Sequence, residues 1–394
     1  MANEVNLNLD PRSFMNIVPE RKAAIGAAPE TPLPADFPVN RLTRLLHPDF
    51  QYLLIEEVRE HGVDTKSYTL IPDIESGTNS LAYFSAGQYI SVYLEIGGSK
   101  LYKPYSIRSS PLDALKGRYI LTVQGSEDGF ASRHIFNTWK KGDKVTVTGP
   151  AGDFTFEPLR DPKCIVGLAG GSGITPFYSL ARAIADGLED FELTLLYGNR
   201  TAGTILLKDE FDAICAECEH VKVVHVLSDE SKPEFENGFI TAELIKKYAP
   251  AGDFALFICG PQAMYDFVDR EISKLNMPLR RIRRELYGQI NNPPDFPKEY
   301  AGSVSTLTVS IRNKQKQFPC AAEESLLVCL ERAGIAAPSR CRSGECGFCH
   351  TRLVSGQVYI PPGKDKRREA DKKFGYIHPC ISYPLGDVSL EISL

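Results

Sequence analysis

The sequence lacks any apolar run that approaches the roughly 18 residues needed for a membrane-spanning helix. Its N-terminal residues also lack the secretory pattern, in which a basic segment precedes a short apolar one. We therefore expect a cytoplasmic protein without a membrane span. Because disulfides are rare in that reducing compartment, the ten cysteines should mostly be free thiols or metal ligands.

An excess of positive charge is also missing. The chain has 45 Lys and Arg against 50 Asp and Glu, a net charge of −5, which argues against a general nucleic-acid-binding protein. Hydrophobic residues make up 43% and charged residues 24%, as in ordinary globular domains. No internal repeat is visible, and at roughly 100–200 residues per domain the 394 residues correspond to two to four domains.

Changes in composition divide the chain into five segments. Residues 1–47 form an extension, whose Pro- and Ala-rich part should wrap a surface or stay partly disordered. Residues 48–158 contain short β-branched or aromatic runs between turn residues, which predicts an antiparallel β-barrel. Residues 159–288 alternate strand and helix patterns, which predicts an α/β domain with a parallel sheet. A Pro-rich linker, 289–303, precedes a final α+β segment, 304–394.

Four cysteines in the final segment have the spacing C-x4-C-x2-C-x30-C: Cys341, Cys346, Cys349 and Cys380. The first three match the spacing of plant-type [2Fe–2S] ligands, and the fourth comes from a distant strand. Small residues in the loop allow it to wrap a cluster, with backbone N–H groups directed at the sulfurs. A structural zinc site usually takes two C-x2-C pairs or histidines, a pattern that is absent. We therefore interpret these cysteines as [2Fe–2S] ligands.

The remaining metal-binding side chains carry weaker signals. His350 and His378 flank ligand positions but lack the spacing of a Rieske site, so we interpret them as bystanders. Cys215 and Cys218 form a single C-x-x-C on a predicted helix with no second pair nearby, and they are expected to be ordinary thiols. Three further cysteines are expected in the core: Cys164, Cys320 and Cys329.

Two turns of the α/β segment indicate nucleotide binding. The first, GGSGITP, follows an apolar strand and opens a helix, where backbone N–H groups can hold a pyrophosphate. It is not the G-x-G-x-x-G fingerprint, so an ordinary strand–helix turn stays an alternative. The second, CGP, also follows a buried-looking strand, and both should lie on one sheet edge. The candidate residues are Gly170, Gly171, Ser172, Gly173, Thr175, Pro176, Cys259, Gly260 and Pro261, with Arg200 after an intervening strand.

The barrel segment KPYS combines groups that suit a flavin. Lys103 offers a cation for a phosphate, Tyr105 an aromatic ring for a flavin face, and Ser106 a hydroxyl near a reducible nitrogen. Taken alone, the segment is an ordinary strand with a turn. Downstream, GFAS begins a helix that can hold a second phosphate. The candidate flavin-binding residues are Lys103, Pro104, Tyr105, Ser106, Gly129, Phe130, Ala131 and Ser132.

These motifs, in this order, resemble the ferredoxin–NADP reductase superfamily. The resemblance is closest to members with a plant-type ferredoxin domain fused at the C-terminus, as in the reductases of several multi-component oxygenases. KPYS is similar to the family's Arg-x-Tyr-Ser/Thr flavin motif, GFAS to its Gly-x-x-Ser motif, and GGSGITP and CGP to its nicotinamide motifs. Lys103 departs from the family's Arg and loses its bidentate fork, so Arg108 or Arg133 could assist. The resemblance covers roughly residues 48–394 and adds a β-grasp fold for the ferredoxin domain.

The resemblance implies an NAD(P)H-dependent flavin iron–sulfur oxidoreductase. The Gly-x-x-Ser helix favours FAD over FMN. Nicotinamide gives up two electrons as hydride and a [2Fe–2S] cluster takes one, and a flavin can do both. Ser106, near the accepting flavin nitrogen, and Cys259, near the reactive nicotinamide carbon, are the implied catalytic residues. Further contacts with the flavin are implied for Thr122, Val123 and Gln124, and for Glu285 and Tyr287 at the end of the nucleotide domain.

The implied electron acceptor is a separate redox protein: an oxygenase component, a corrinoid protein or another metalloprotein. Two alternatives from other classes stay open. One is an electron-relay subunit of a larger dehydrogenase complex, against which the x30 spacing argues, and the other is a non-enzymatic redox sensor. The sequence does not distinguish NADH from NADPH.

A basic run precedes Cys380. Residues 301–394 contain 13 Lys and Arg and 9 Asp and Glu, although the whole chain is negative. The run could be a solvated loop, a docking patch for an acidic acceptor, or a contact that steadies the cluster domain against the acidic domains of the same chain. It comprises Lys364, Lys366, Arg367, Arg368, Lys372 and Lys373.

Overall fold

The structure, a computed structural model, describes residues 11–28, 37–127, 129–285, 293 and 295–392. The chain divides into two units, Met1–Leu45 and Leu46–Leu394. No helix in the described ranges is both long enough and apolar enough to cross a lipid bilayer.

The N-terminal unit is helical in its described part. Helix α1 spans Pro11–Gly26 and helix α2 spans Pro38–Leu46. The sequence analysis predicted no helix for the Pro- and Ala-rich part of this extension, whereas α1 ends within that part and α2 begins within it. The missed signal is in α2, where Val39 and Leu42 are three residues apart and Pro38 occupies the first helical turn.

The second unit begins with an antiparallel sheet that curls into a half-barrel. Its strands run side by side in the order β4-β3-β6-β1-β2-β5. Leu53 and Ile55 on β1 and Tyr68 and Leu70 on β2 point inward and are almost fully buried, because alternate residues of a strand face the same side. The predicted antiparallel barrel is thus confirmed. The elements are β1 (Phe50–His61), β2 (Thr65–Pro72), β3 (Tyr89–Ile96), β4 (Ser99–Ser106), α3 (Pro111–Leu115), β5 (Tyr119–Gln124), α4 (Phe130–Thr138) and β6 (Lys144–Thr148).

A parallel sheet with helices on both faces follows. The strand order is β10-β9-β8-β7-β11-β12, and every neighbouring pair is parallel. Two apolar clusters cover the two faces of the sheet, which explains the continuous apolar runs in β7 and β11. The elements are β7 (Cys164–Gly170), α5 (Thr175–Ala185), β8 (Glu192–Asn199), α6 (Lys208–Glu217), β9 (Val221–Leu227), β10 (Glu236–Asn237), α7 (Ala242–Tyr248), β11 (Ala255–Cys259), α8 (Gln262–Ser273) and β12 (Ile282–Arg284).

The C-terminal domain is a mixed sheet with one helix packed on it, the β-grasp arrangement that was expected. The sheet order is β14-β13-β19-β15-β17, and β13 and β19 are its parallel pair. Leu326, Leu327 and Leu330 form the buried face of helix α9, which packs on the sheet. The elements are β13 (Val304–Ile311), β14 (Lys314–Ala321), α9 (Leu326–Arg332), β15 (Thr351–Ser355), β16 (Val358–Tyr359), α10 (Glu369–Lys373), β17 (Tyr376–Ile377), β18 (Tyr383–Pro384) and β19 (Val388–Ile392).

Two of the three cysteines expected in the core are there. Cys320 and Cys329 are fully buried. Cys164 is only half-buried, and its Sγ lies 3.7 Å from Glu192 Oε2, so that prediction was wrong. The reason is its position at the first residue of β7, before the strand enters the sheet interior.

Candidate functional site

The cysteine loop, between α9 and β15, gathers the four predicted cluster ligands. Cys341, Cys349 and Cys380 are buried, whereas Cys346 is exposed. The Sγ atoms of Cys349 and Cys380 lie 3.5 Å apart, although 30 residues separate them in the sequence. The 3-10 turn Pro379–Ile381 brings the fourth cysteine back to the loop. A cysteine of the loop and the cysteine of a distant turn are therefore in contact.

Backbone N–H groups of the loop are directed at cysteine sulfurs. The N–H of Cys346 donates to Cys341 Sγ at 3.4 Å, and that of Phe348 donates to Cys346 Sγ at 3.5 Å. Hydrogen bonding between Cys341 and Cys346 lowers the pKa of Cys341 to about 5 and raises that of Cys346. Hydrogen bonding between Cys349 and Cys380 likewise lowers the pKa of Cys349 and raises that of Cys380. Since the thiolate is the form that binds metal, this donor set fits a [2Fe–2S] cluster.

Left-handed backbone conformations shape the loop. Gly344 and Gly347 have φ values of +84° and +66°, which glycine adopts without steric cost. A Cβ at Gly344 would lie only 2.7 Å from Ile381 Cδ1. Arg342 also has a positive φ, 60°, which is uncommon for a residue with a side chain. The buried ring of His378 supports the loop, with Nδ1 3.0 Å from the Gly344 carbonyl oxygen.

The two glycine-containing turns of the α/β domain lie side by side. Strands β7 and β11 pair in parallel with Ala169 opposite Cys259, so both turns leave the same sheet edge. A Cβ at Gly173 would lie 2.3 Å from the Cys259 carbonyl oxygen, and one at Gly170 would lie 2.6 Å from Met264 Sδ. The close approach of the two backbones therefore requires glycine at position 173, whereas a side chain at position 170 would displace the Met264 side chain of α8.

Each of these turns leads into a helix. Residues Gly171–Ile174 form a 3-10 turn that runs directly into α5, and Thr175 Oγ1 donates to the Ser172 carbonyl oxygen at 3.1 Å. Pro176 occupies the first turn of α5, and Pro261 precedes α8. Helix N-termini present N–H groups and a partial positive charge, so this edge fits the pyrophosphate of a dinucleotide.

A cavity of about 600 Å³ opens at the same edge. Five predicted residues line it: Gln124, Gly170, Gly171, Arg200 and Pro261. The sequence analysis missed the contributions from the ends of β8 and β9 and from the segment before α7. Their position at the carboxyl ends of parallel strands could have indicated them. They include Gly198, Asn199, Ser228, Phe239 and Ile240.

Carboxylates that the sequence analysis missed lie beside Arg200. The N–H of Asp229 donates to the Arg200 carbonyl oxygen at 2.9 Å, and Ser228 Oγ donates to Asp229 Oδ1 at 2.5 Å. Glu230 Oε2 accepts from the N–H of Ala202 at 2.7 Å. An acidic side chain after a strand of this kind of sheet can accept a hydrogen bond from a ribose 2′-hydroxyl.

Strand β4 carries the predicted flavin-binding segment. Ser106 is buried and lies opposite Tyr89 of β3. Tyr105 packs against the barrel core, and within the described part of the chain its buried hydroxyl has no hydrogen-bond partner. A buried polar group without a partner is costly unless a ligand satisfies it. The segment therefore fits a polar, aromatic ligand such as a flavin.

Strand β5 closes the half-barrel against β4. The N–H of Arg108, just after β4, donates to the Ile120 carbonyl oxygen at 2.8 Å. Thr122 Oγ1 lies 2.7 Å from Ser67 Oγ, and Val123 is in the barrel core. Gln124, in contrast, lines the nucleotide cavity. Of the three predicted residues of β5, two thus have side chains committed to the barrel.

Lys103 lies where the barrel meets the C-terminal domain. Helix α9 packs against β4. Burial, with a contribution from the charge of Arg342, lowers the pKa of Lys103 to about 8, and the charge of Glu331 opposes this effect. A phosphate anion nearby would favour the protonated form of Lys103.

The GFAS turn opens α4, which packs on β5. Gly129 precedes the helix, and a Cβ there would lie 2.1 Å from Ser132 Oγ. Ala131 is buried, whereas Phe130 is 60% exposed. A side chain at position 129 would thus displace the Ser132 hydroxyl, and with glycine there the start of the helix stays open, as a phosphate-binding site requires.

The two arginines suggested as helpers of Lys103 differ in their surroundings. Arg133 Nη1 donates to the Glu127 carbonyl oxygen at 2.9 Å. Arg108 is buried with its guanidinium 4.9 Å from the centre of the Tyr178 ring. Its Nε and Nη1 have no hydrogen-bond partner in the described residues. Arg108 is thus the better of the two candidates.

Residues from all three domains meet at the end of β4, in what we call the junction. Burial, then the charge of Cys341, raises the pKa of Glu285 well above its usual range. Burial and the charge of Glu285 likewise raise the pKa of Cys259. Tyr287 lies outside the described residues. The junction comprises Tyr89 and Ser106 of the barrel, Cys259 and Glu285 of the α/β domain, and Cys341 of the cysteine loop.

The basic run is partly neutralised within its own segment. Three acidic residues are interleaved with its cations, so that its charge density is lower than the cations alone suggest. The ion pairs are Arg367–Asp365 at 2.9 Å, Arg368–Asp371 at 2.8 Å and Lys372–Glu369 at 2.8 Å.

The beginning of the run faces the α/β domain. Lys364 and Lys366 line a cleft together with Asp266 and Asp269 of α8. Glu345 of the cysteine loop borders the same cleft. Because cations and carboxylates face each other across this cleft, the basic run is more consistent with a contact between two domains of the chain than with a wholly solvated loop.

Three family models match the chain. Residues 54–156 match an oxidoreductase FAD-binding domain, and residues 168–270 match an oxidoreductase NAD-binding domain. Residues 309–385 match a 2Fe-2S iron-sulfur cluster binding domain. The predicted FAD, nicotinamide and [2Fe–2S] cofactors are thereby confirmed, in the predicted order along the chain.

Whole proteins are similar as well. The glycine betaine monooxygenase reductase subunit of Chromohalobacter salexigens is 24% identical over 332 residues, which are 79% of this chain and 88% of that protein. NADH-cytochrome b5 reductase 2 of Yarrowia lipolytica is 34% identical over 229 residues, 57% of this chain and 77% of that protein. The solved structure of phthalate dioxygenase reductase, described as modular for electron transfer from pyridine nucleotides to [2Fe–2S], matches with a TM-score of 0.61 and 27% identity, over 88% of this chain and 98% of that one.

Proposed function

The chain belongs to the ferredoxin–NADP reductase superfamily, with a [2Fe–2S] domain at its C-terminus, and from this premise we propose that it is the reductase component of an oxygenase system. It passes electrons from NAD(P)H through FAD to its own cluster and on to a separate redox protein. An oxygenase component is the acceptor class favoured by the name of the Chromohalobacter salexigens relative, a monooxygenase reductase subunit.

The junction is the observation that carries the proposal. Ser106 ends the flavin-binding strand, Cys259 ends a strand of the nucleotide edge, and Cys341 is a cluster ligand. Tyr89 pairs with Ser106 across the two strands, and a Cβ at Gly152 would lie 2.9 Å from the Tyr89 ring and 3.9 Å from Glu285 Oε1. The N–H of Glu285 donates to the carbonyl oxygen of Ile258, the residue before Cys259, at 2.9 Å. The proposed sites for the nicotinamide, the flavin and the cluster thus share one junction. This arrangement suits stepwise electron transfer from the first to the last.

The residues of the junction have separate tasks in this proposal. Bound FAD accepts a hydride and gives up electrons one at a time. Tyr105 and Ser106 hold and orient it on β4. Cys259 stays a neutral thiol because burial raises its pKa, so it offers an uncharged, water-excluding contact for the nicotinamide. Burial also raises the pKa of Glu285, which favours its neutral form where hydride must pass.

NADH is the proposed nicotinamide substrate. The carboxylate of Asp229, just after β9, accepts a hydrogen bond from Ser228, which lines the nucleotide cavity. From there we propose that it accepts from a 2′-hydroxyl and repels a 2′-phosphate. The variant Asp229→Ser should narrow the ratio of kcat/KM for NADH over NADPH by about tenfold, a change of roughly 1.4 kcal/mol. An unchanged ratio in steady-state assays with both nucleotides would remove Asp229 from this role.

The acceptor is further proposed to be acidic at its docking surface, and the location to be cytoplasmic. Lys366 and Lys373 are exposed cations of the basic run for which the structure gives no ion pair in the described residues. Opposite charge on a partner would raise the encounter rate and make it sensitive to salt. Thiolate ligands are compatible with a reducing compartment.

An anaerobic titration tests the proposed function. Purified chain should contain about two iron atoms and one flavin, and should accept about three electrons from NADH, two on the flavin and one on the cluster. Zinc in place of iron, or absence of flavin after reconstitution, would contradict it. Stoichiometric reduction without turnover on any protein acceptor would favour the redox sensor, and failure of free NADH to reduce the flavin would favour the relay subunit.

A further inference from the structure

Strand β4 is an edge of the barrel sheet, so one side of its backbone is not used for pairing with β3. Such an edge presents free N–H and C=O groups and is usually covered or charged. The cluster domain covers this one: α9 packs against β4. Just after α9, a Cβ at Gly334 would lie 3.3 Å from the Gly98 carbonyl oxygen in the β3–β4 turn. The flavin-binding strand is thus also a docking surface for the cluster domain.

Arg342 joins the cysteine loop to this edge. Its Nη1 donates to the carbonyl oxygen of Tyr102 at 3.2 Å, one residue before Lys103 in the flavin motif. Arg342 is itself the residue after Cys341, and it is 3% exposed. Its left-handed backbone, φ 60°, carries strain that persists only where the surrounding contacts fix it. One side chain therefore bridges a cluster ligand and the flavin strand.

Glu331 of α9 holds the Arg342 guanidinium in position. Nη2 of Arg342 donates to Glu331 Oε2 at 2.7 Å, and Nη1 bonds to Oε1. Two parallel hydrogen bonds between planar groups form the bidentate arrangement, which fixes direction as well as distance. The side chains are 2% and 5% exposed. Because burying two charges offsets much of their attraction, the pair is better suited to fixing a geometry than to adding stability.

We propose that the Arg342–Glu331 pair is a positioning latch, which holds the cysteine loop on β4 and so sets the distance between flavin and cluster. The inference rests on the proposed function, since it concerns the step in which the flavin loses one electron and the cluster gains it. Electron tunnelling weakens steeply with distance, so a small displacement of the loop should slow this step. Neither residue lines the nucleotide cavity, and among the candidate flavin-binding residues their charges influence only the protonation of Lys103. In protein saturated with flavin, the rate of hydride transfer should therefore not depend on the latch.

The variant Glu331→Gln keeps the shape of the side chain and removes its charge. Its matched control is Glu391→Gln, the same substitution in a pair within the cluster domain, where Arg352 lies at 3.3 Å and the side chains are 59% and 53% exposed. Anaerobic stopped-flow mixing with NADH resolves flavin reduction from cluster reduction by absorbance. Iron content and the EPR spectrum of the reduced cluster report whether the cluster itself has changed.

Glu331→Gln should reduce its flavin at the wild-type rate, keep its iron and EPR spectrum, and transfer electrons to the cluster at least about tenfold more slowly, equivalent to roughly 1.4 kcal/mol. Glu391→Gln should match wild type in every step. Glu331→Asp, which keeps the carboxylate, should recover most of the lost rate. Transfer in Glu331→Gln as fast as in Glu391→Gln would overturn the proposal.

A second variant tests the proposal if Glu331→Gln loses its iron. Arg342→Lys keeps the charge and loses the bidentate fork. Slow flavin-to-cluster transfer with full iron in this variant supports the latch, and a wild-type rate overturns it. A wild-type chain whose flavin is reduced by NADH while its cluster stays oxidised would instead contradict the proposed function, so the two failures are distinguishable.

Discussion

The proposed cluster site consists of four thiol side chains, three from the cysteine loop and one from a distant turn, whereas the proposed nucleotide site consists mainly of the backbone of two turns. In the loop, Cys349 and Cys380 approach to 3.5 Å from distant positions in the sequence. At the edge, Gly173 packs so closely on Cys259 that a Cβ would lie 2.3 Å from its carbonyl oxygen. A side-chain site depends on the chemistry of particular residues. A backbone site depends on the path of the chain, and many different sequences can fold along the same path.

The largest effect is expected from a substitution that removes a side chain of the proposed cluster site. Cys346→Ser removes one thiolate, and a serine hydroxyl, which is rarely deprotonated, is a much poorer ligand of iron. The purified variant should lack the cluster and its visible absorbance, whereas NADH should still reduce the flavin at the wild-type rate. Full iron content in the variant would exclude Cys346 as a ligand. A comparable loss of flavin reduction would mean that the two sites are not separable.

A smaller effect is expected from one side chain at the backbone site. Cys259→Ala leaves the turn intact but opens space beside the proposed position of the nicotinamide. Flavin reduction should slow by up to about a hundredfold, as a misplacement of about 1 Å can produce. The dissociation constant for the nucleotide should change far less. Rapid-mixing measurements over a range of NADH concentrations separate the two quantities, and an unchanged limiting rate would contradict the role.

The same contrast explains what the sequence could predict. The cysteine spacing indicates the cluster because it carries chemistry in its own residues, and the parallel pairing of β7 and β11 follows from their apolar runs. Ser228 and Phe239 gave no local signal, since they line the cavity only through the order of the strands. Arg342 gave none either. Its partners, Glu331 and the Tyr102 carbonyl, are 11 and 240 residues away in the sequence.

The basic run and Arg342 show that the sequence can also overstate one group of charges and hide another. Six cations close together in the sequence drew attention, yet Asp365, Glu369 and Asp371 neutralise part of their charge. A single buried arginine has the contacts with the flavin strand. Burial and partners, rather than local density, determine what a charge does.

A pH dependence sharpens the comparison at Lys103, a charged side chain on the strand that is proposed to bind the flavin. Its pKa in the folded chain, about 8, lies below the ordinary value of 10.5, so the folded state loses this proton as pH rises above 8. If the charged form binds the flavin phosphate, flavin affinity should fall above about pH 8, by no more than about tenfold per pH unit. Equilibrium dialysis with the apoprotein measures it.

Lys103→Arg supplies the control for that measurement. The guanidinium stays charged throughout this pH range, so the variant should bind flavin with little change between pH 7 and pH 10. An identical pH dependence in both proteins would assign the titration to another group.

The smallest effect within the chain is expected from the basic run. Reversing Lys366, Arg367 and Arg368 to Glu should leave flavin reduction unchanged. If the run docks an acidic acceptor, transfer to that acceptor should fall and lose its salt dependence. If the cleft with Asp266 and Asp269 steadies the domain, flavin-to-cluster transfer should slow instead, by a few-fold at most because exposed pairs contribute about 0–1 kcal/mol. No change in either step would leave a solvated loop.

The most direct test of the account is the order of events in one anaerobic turnover. Wild-type chain is mixed with one equivalent of NADH, and flavin and cluster absorbance are followed together with the EPR signal of the reduced cluster. The account predicts that the flavin is reduced first, and that the cluster is then reduced at the rate at which the flavin gives up one electron. Cluster reduction that precedes flavin reduction, or that persists at the same rate in flavin-free protein, would contradict it.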